Sequence, residues 1–501
     1  METAARKAVA LNPKDANAHA LLAVILDQRG QPDEAEREYQ TALQLKPNLV
    51  SALSNYGVLL ARTNRPAEAI AKFEEVLRID PKHERAVFNL GALYAARGDY
   101  QRAVPLLEKA VGQPACKPQP GDRALLLTLV NAYAHIDRRQ DALSLSRCIE
   151  ETSTSDARAL FTLALSLAEV HEYAEAVRLF RRTNELRPNT YEVLYNLGLA
   201  LYNLDRLSEA NEALTAAKGL KPAEADPLYR LGLIASAQGD TKAALMYWMH
   251  ALELRSLFPE VNFMIGEELL KTRLAEKSIP FYELALEQSK GELVYHLRLG
   301  VANVRAQFYE RAREIFTRAL ERYPDNANLY FLLGYSARAE GQYDQAVAAF
   351  QKVLKLEPDN PDAIANLGYI ASQRGENVEA ERLLRRAIQL NPQAFPSYHD
   401  LGRLLVKLKR YDEALPLLKR GVELNDKDPG IRYQLFLAYS RLKQKAEADK
   451  ELAEFKRLDE INRHGATPLG AATKPGAGME GETLPPLPAT ASGDTAKPRT
   501  P

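Results

Sequence analysis

The sequence predicts an all-α fold, an α-solenoid of stacked antiparallel helix pairs. Three observations predict it. A 34-residue period runs through most of the chain. Each period holds two stretches with apolar residues at three- and four-residue spacing, broken once near the middle. No segment alternates with period two for long enough to suggest a sheet. Residues 191–222 and 327–358 align without gaps at this period. Repeats start at Ala16, Val50 and Glu84 and, after five inserted residues, at Arg123. They then start at Ala157, Tyr191, Ala225, Pro259, Leu293, Ala327, Pro361, Phe395 and Pro429, which makes thirteen full repeats.

Within a repeat each position has a physical role. Position 8, in the first helix, is glycine in nine repeats, among them Gly57, Gly198, Gly300 and Gly402. Glycine inside a helix costs about 1 kcal/mol against alanine, so it needs an offset. Close approach of the paired helices supplies one, with position 8 expected to face position 20 of the second helix. Position 20 is alanine in twelve repeats, with Ser278 the exception. Position 24 is large in several (Tyr39, Phe73, Phe180, Trp248, Phe316, Phe350) and is expected to fill the wedge beside that contact. Position 15 marks the turn, often as glycine (Gly30, Gly98, Gly239, Gly341, Gly375). Position 32 is proline in seven repeats, where it ends the second helix. Pro105, Pro280 and Pro416 all fall at position 22, near enough to the helix start to be tolerated.

These residues, Leu197-Gly198, Ala210, Leu214 and Pro222 with their counterparts, resemble the tetratricopeptide repeat over residues 1–460. The resemblance implies a right-handed superhelix of helix pairs whose first helices line a concave groove. The boundaries read as an N-terminal half repeat at 1–15, repeats 1–3 at 16–111, a Pro-rich insertion loop at 112–122, repeats 4–13 at 123–460 and a disordered Pro/Gly/Ala/Thr-rich tail at 461–501. A seam is expected at the insertion, and a soft spot in repeat 8, where Asn262, Ser278 and Lys290 replace the usual residues.

Catalytic and cofactor signatures are missing. There is no phosphate loop, HExxH or GxSxG, and the eight histidines stand singly rather than at metal-ligand spacing. The glycines at 476–481 spell GxGxxG, but with neither a strand before nor a helix after, dinucleotide binding is rejected. Leu484–Pro488 can form polyproline II, though such stretches are commonly linkers. Cys116 and Cys148 are expected as thiols, with their pairing left open. The 66 basic and 66 acidic side chains balance, which removes a chain-wide basic excess as an argument for nucleic-acid binding. No apolar run approaches the ~18 residues of a membrane span. The expectation is therefore a non-enzymatic chain with no cofactor and a protein or peptide partner. A cytoplasmic location is the default, periplasmic if an upstream signal peptide was lost.

The resemblance implies that positions 2, 5, 6, 9, 12 and 13 face the groove. Position 5 gives Phe88, Phe161, Tyr195, Tyr229, Phe263, Phe331 and Tyr433, with His399. Position 6 gives Asn55, Asn89, Asn196 and Asn366, with Arg230 and Arg298; positions 9 and 12 add Tyr335, Tyr369 and Tyr202. Arg305, Arg338, Arg403 and Lys407 add positive charge. Aromatics beside amides and guanidiniums suit an extended peptide, whose backbone the polar groups can bond while the rings take its side chains. The competing reading is that the position-5 aromatics are partly core. An alternative function is the substrate-docking part of a larger enzyme, O-linked glycosyltransferase-like and lacking its catalytic domain, and a third is a periplasmic assembly factor. The position-6 asparagines resemble the asparagine ladder of the O-linked N-acetylglucosamine transferase superhelix. That ladder is interrupted here by Thr128, Thr162, Met264 and Leu332.

Overall fold

The computed structural model describes residues 1–112, 123–152, 155–289 and 292–465. The insertion beyond Gly112, with Cys116, and the tail beyond Gly465, with the glycine and Pro-rich motifs, lie outside the described residues. Among the described residues there are 27 helices and no strands, an all-α repeat solenoid. All thirteen first helices begin where the periodicity starts a repeat, from Ala16–Gln28 to Pro429–Arg441. A helix at Glu2–Leu11 precedes them. The final helix runs to Gly465, so residues 461–465, expected in the tail, are helical.

The residues fall into two compact units, 1–240 and 241–465. Their boundary lies at the turn of repeat 7, not at the insertion. Across the insertion, packing continues: Tyr100 stacks on His135 with centroids 4.3 Å apart, and Tyr133 and Arg138 both donate to Glu108. Within each unit, first helices approach their counterparts in neighbouring repeats more closely than second helices do, in repeats 1–7 and again in repeats 9–13. The first helices therefore form the inner arc of each unit.

Position 20 is buried in every repeat, including Ser278, whose hydroxyl donates to the Ala275 carbonyl at 2.7 Å. The glycine contact differs from expectation. A Cβ on Gly57 would lie 2.9 Å from the Phe73 ring, on Gly266 2.8 Å from Tyr282, and on Gly334 3.0 Å from Phe350. Position 8 thus faces the side chain at position 24, not position 20. The ring edge fills the space over the glycine because no β-carbon intervenes. Backbone proximity to position 20 remains in repeat 6, where a Gly198 Cβ would lie 3.4 Å from the Ala210 carbonyl oxygen.

Every repeat turns through a left-handed residue at position 15. Five are glycine; the other eight are Asn64, Asp137, His171, Asp205, Arg273, Gln307, Lys409 and Lys443, with φ near +60°. The next backbone N–H closes each first helix by reaching back five residues, as Arg65 does to Leu60 and Arg410 to Leu405, both at 2.9 Å. That shared joint explains why the period stays fixed although glycine does not. Several first helices are capped at their starts by Asp15, Asp156, Asn326, Asn360 and Asp428.

Second helices are stitched to neighbouring repeats by ion pairs. Arg65 bridges Glu36 of the preceding repeat and Glu68 of its own; Arg410 does the same with Glu381 and Glu413. The Tyr56 and Arg65 bonds hold the Glu36 carboxyl below its usual pKa, and Arg410 does likewise for Glu381, against the opposing effect of burial. Such exposed pairs contribute little singly; their repetition fixes alignment.

The glycine contact makes two like substitutions differ in sign. Gly57→Ala should destabilise by about 1 kcal/mol, since overpacking at 1–3 kcal/mol outweighs the helix-propensity gain. Gly219→Ala, with nothing within 4 Å of its Cβ position, should stabilise by about 0.5–1 kcal/mol. Urea unfolding followed by helix ellipticity measures both, and adding Phe73→Leu should recover part of the Gly57→Ala loss.

Candidate functional site

The inner arc carries the residues expected to bind, and the structure divides them. In repeats 5–7 of the first unit, Phe161, Tyr195 and Tyr229 are buried, as is Asn196. Phe161 packs on Phe180, position 24 of the same repeat, with centroids 5.8 Å apart. Tyr195 stacks on Tyr191, and Arg230 lies over the Tyr229 ring at 4.8 Å. Tyr202 stays half-buried at the end of its helix. In the second unit, Phe263 packs edge-on against Tyr282 and Tyr295, and Phe331 against Phe350. These five position-5 aromatics are therefore core residues, and Phe161, Phe263 and Phe331 among them back the rings at position 24. The exposed ones, Phe88 and Tyr433, are 41% and 40% accessible and sit nearer the ends of the array.

The reason is geometric. Position 5 lies one helical turn from position 8, so it shares the face that meets the second helix. A ring there completes an aromatic pair worth about 0.5–1.5 kcal/mol beyond its area.

Position-6 asparagines also differ from the expected ligand contacts. Asn89, Asn196 and Asn366 each donate through Nδ2 to the carbonyl four residues back, at 2.7–2.8 Å. Thr128 and Thr162 make the same bond through their hydroxyls. These side chains are folded onto their own helices.

What the structure brings together is a stack across three successive first helices, Ala327–Ala339, Pro361–Arg374 and Phe395–Lys407. Arg338 lies 5.2 Å from the Tyr335 ring centre and 4.8 Å from that of Tyr369. Arg403 lies 5.1 Å from Tyr369 and donates to Asp400 at 2.9 Å. Tyr335 and Arg338 are buried; Tyr369 and Arg403 are half-buried. Burial raises the Tyr369 phenol pKa against the opposing pull of Arg403 and Arg338, so the ring stays neutral beside two cations. Each guanidinium sits over a ring at cation–π distance.

Arg298 is separate, paired with Glu267 at 3.2 Å, while Tyr282 donates to the same carboxylate at 2.5 Å. Arg305 and Lys407 are exposed at position 13. His399 is half-buried and stacks on Phe395. Sequence reading missed the carboxylates Asp400 and Glu267. Both occupy registers, 6 and 9, that elsewhere hold Arg298 and Arg403, so a carboxylate at either register is the sequence signal for such a pair. Among the described residues no group of acidic, histidine or cysteine side chains is arranged to hold a metal, and no helix is long and apolar enough to cross a membrane. Cys148 is buried in Arg139–Thr152.

Protein-family models described as tetratricopeptide repeat match residues 4–37, 29–84, 57–123, 161–225, 225–256, 296–326, 315–348, 337–405 and 395–428. Solved structures include yeast Tom70, 15% identical over 90% of this chain and 97% of that one, with a TM-score of 0.34. A second is the C-terminal part of a TPR repeat-containing protein from Cytophaga hutchinsonii, 16% identical over 48% of this chain and 99% of that one, with a TM-score of 0.44. A third is YrrB, described as a TPR protein with an unusual peptide-binding site. It is 23% identical over 37% of this chain and 92% of that one, with a TM-score of 0.30. No curated protein matches the sequence.

Because Phe331 is core, Phe331→Ala should cost about 3–5 kcal/mol of stability in urea unfolding, where a surface contact would cost little. His296, buried on the first helix of repeat 9, has its pKa lowered by burial and then by Arg318 and Arg322. The unfolded chain therefore takes up this proton at higher pH than the folded one. Stability should fall as pH drops below about 6.5, the ordinary value. His296→Leu should flatten that decline between pH 7.5 and pH 5 in unfolding curves.

Proposed function

This chain belongs to the tetratricopeptide repeat family, and we propose that it is a protein-binding scaffold that holds an extended peptide or partner helix along its first-helix face. The carrying observation is a contrast between the two helix layers. Many charges on the second helices are committed to neighbouring repeats, as in Arg178 with Glu150 at 2.7 Å and Arg410 with Glu381 at 2.6 Å. On the first helices of repeats 9–12, by contrast, Arg305 and Lys407 are exposed with no carboxylate partner among the described residues, and Lys407 lies one helical turn from Arg403 of the Tyr369–Arg403 stack. Exposed side chains held rigid and not used in packing are what a binding face requires.

The candidate residues sort accordingly. In the second unit, Arg305, Tyr369, His399 and Arg403 form the contact set and Phe263, Phe331, Tyr335 and Arg338 support it from below, while Asn366 stays bonded to its own helix. In the first unit, Tyr202 is the half-buried candidate, and Phe161, Tyr195, Asn196 and Tyr229 are buried. Arg230 and Arg298 lie between, anchored on Tyr229 and Glu267.

The test is affinity purification from the native organism with the full chain and two variants. Tyr369→Ala with His399→Ala and Arg403→Ala should lower partner recovery about tenfold at unchanged helicity. Arg182→Ala with Arg420→Ala, on second helices, should leave recovery unchanged. The reverse pattern would place binding on the second-helix layer.

A further inference from the structure

We infer that the first-helix face of repeats 9–12 is a docking strip for an acidic extended peptide, one that presents Asp and Glu side chains in sequence. This rests on the groove reading above and adds the chemistry of the partner.

The charge on the first helices is uneven. Over repeats 1–6 they carry four Lys or Arg against four Asp or Glu. Over repeats 9–12 they carry six against two. Local pairing does not remove the excess. Arg298 is taken by Glu267, Arg374 by Asp344 and Arg403 by Asp400. Arg305 and Lys407 have no carboxylate partner among the described residues, and Lys407 reaches only the Ser372 carbonyl at 3.4 Å. A chain that is neutral as a whole thus concentrates cations on one stretch of the second unit's first-helix face. A positive surface of this kind raises the local concentration of negative ligands and their association rate.

The dimensions suit a peptide. Arg305 and Lys407 occupy the same position three repeats apart. First helices in contact lie about 8–10 Å apart, so the two cations are separated by roughly 24–30 Å. An extended peptide advances about 3.3 Å per residue, so about seven to nine residues reach from one to the other. One helical turn from Lys407 on the same helix, Arg403 stands 34% exposed, its guanidinium paired with Asp400 and over the Tyr369 ring. A guanidinium already oriented loses little entropy when it takes a second carboxylate.

Single-stranded nucleic acid, the other polyanion, is disfavoured by the rings. Base stacking needs an open aromatic face. Tyr335 is buried, and Tyr369 has both Arg338 and Arg403 on it.

Fluorescence anisotropy with the full chain tests the assignment. The probes are fluorescein-labelled peptides of about twelve residues, one alternating Glu and Ala, the other Lys and Ala, and a dT oligonucleotide of the same length. The Glu peptide should bind at least tenfold tighter than the Lys peptide, and severalfold more weakly at 300 mM than at 50 mM salt. Arg305→Glu with Arg403→Glu should weaken it about tenfold or more, and Lys407→Glu alone should weaken it less. Equal binding of the two peptides, no response to charge reversal, or tighter binding of the oligonucleotide would overturn the assignment. If the native partner is still lost from the first-helix variant above while the Glu peptide fails to bind, the acidic-peptide assignment falls and the groove reading stands.

Discussion

The structure depends on one steric relation repeated along the chain: a missing β-carbon at position 8 under a bulky side chain at position 24. The ring of Phe73, Tyr282 or Phe350 occupies the space that a Cβ on Gly57, Gly266 or Gly334 would take. Where position 24 is leucine, the relation holds with a branched side chain, as in Leu107 over Gly91. This contact fixes how closely two helices of a repeat approach, and alanine at position 20 keeps their backbones near. The aromatic at position 5 then closes over the same ring. Three positions that look independent in the sequence form one packed unit, so the fold tolerates polar replacements such as Ser278 only where the hydroxyl finds a backbone partner.

That unit is propagated by a second constraint, the left-handed joint at position 15. Eight of its thirteen occupants are not glycine. The backbone pays for φ near +60° because the five-residue-back hydrogen bond and the next helix start both require it. Two different joints per period, one left-handed at position 15 and one often marked by proline at position 32, keep successive first helices within each unit on the same side. The inner arc follows from this, and with it the separation of labour between layers. Second helices spend many of their charges on neighbouring repeats, while first helices leave some of theirs for a ligand.

Much of the fold was legible in the sequence because the repeat supplies many readings of each position. The first-helix starts at Ala16 through Pro429 follow from the period, and so does the burial of position 20. The partner of the glycine was misread, because apolar spacing tells which residues share a face but not which atoms meet across it. Legibility was poorer at the binding face for the same reason. A helix whose two sides both touch neighbours shows apolar residues on each, so Tyr195 and Phe263 could not be separated from Tyr369 by periodicity. Burial of Arg338 and the back-bonding of Asn366 depend on neighbouring helices and local geometry, which no single-helix pattern encodes. The charge asymmetry between repeats 1–6 and 9–12 was readable all along, once position and charge were counted together.

The central claim is that first helices bind while second helices hold the array together. Hydrogen–deuterium exchange of the full chain, with and without a bound partner, tests it most directly. The account predicts new protection on the first helices Leu293–Arg305, Ala327–Ala339, Pro361–Arg374 and Phe395–Lys407, with second-helix exchange unchanged. Protection concentrated on second helices such as Tyr343–Leu356 and Asn377–Leu390 would contradict it.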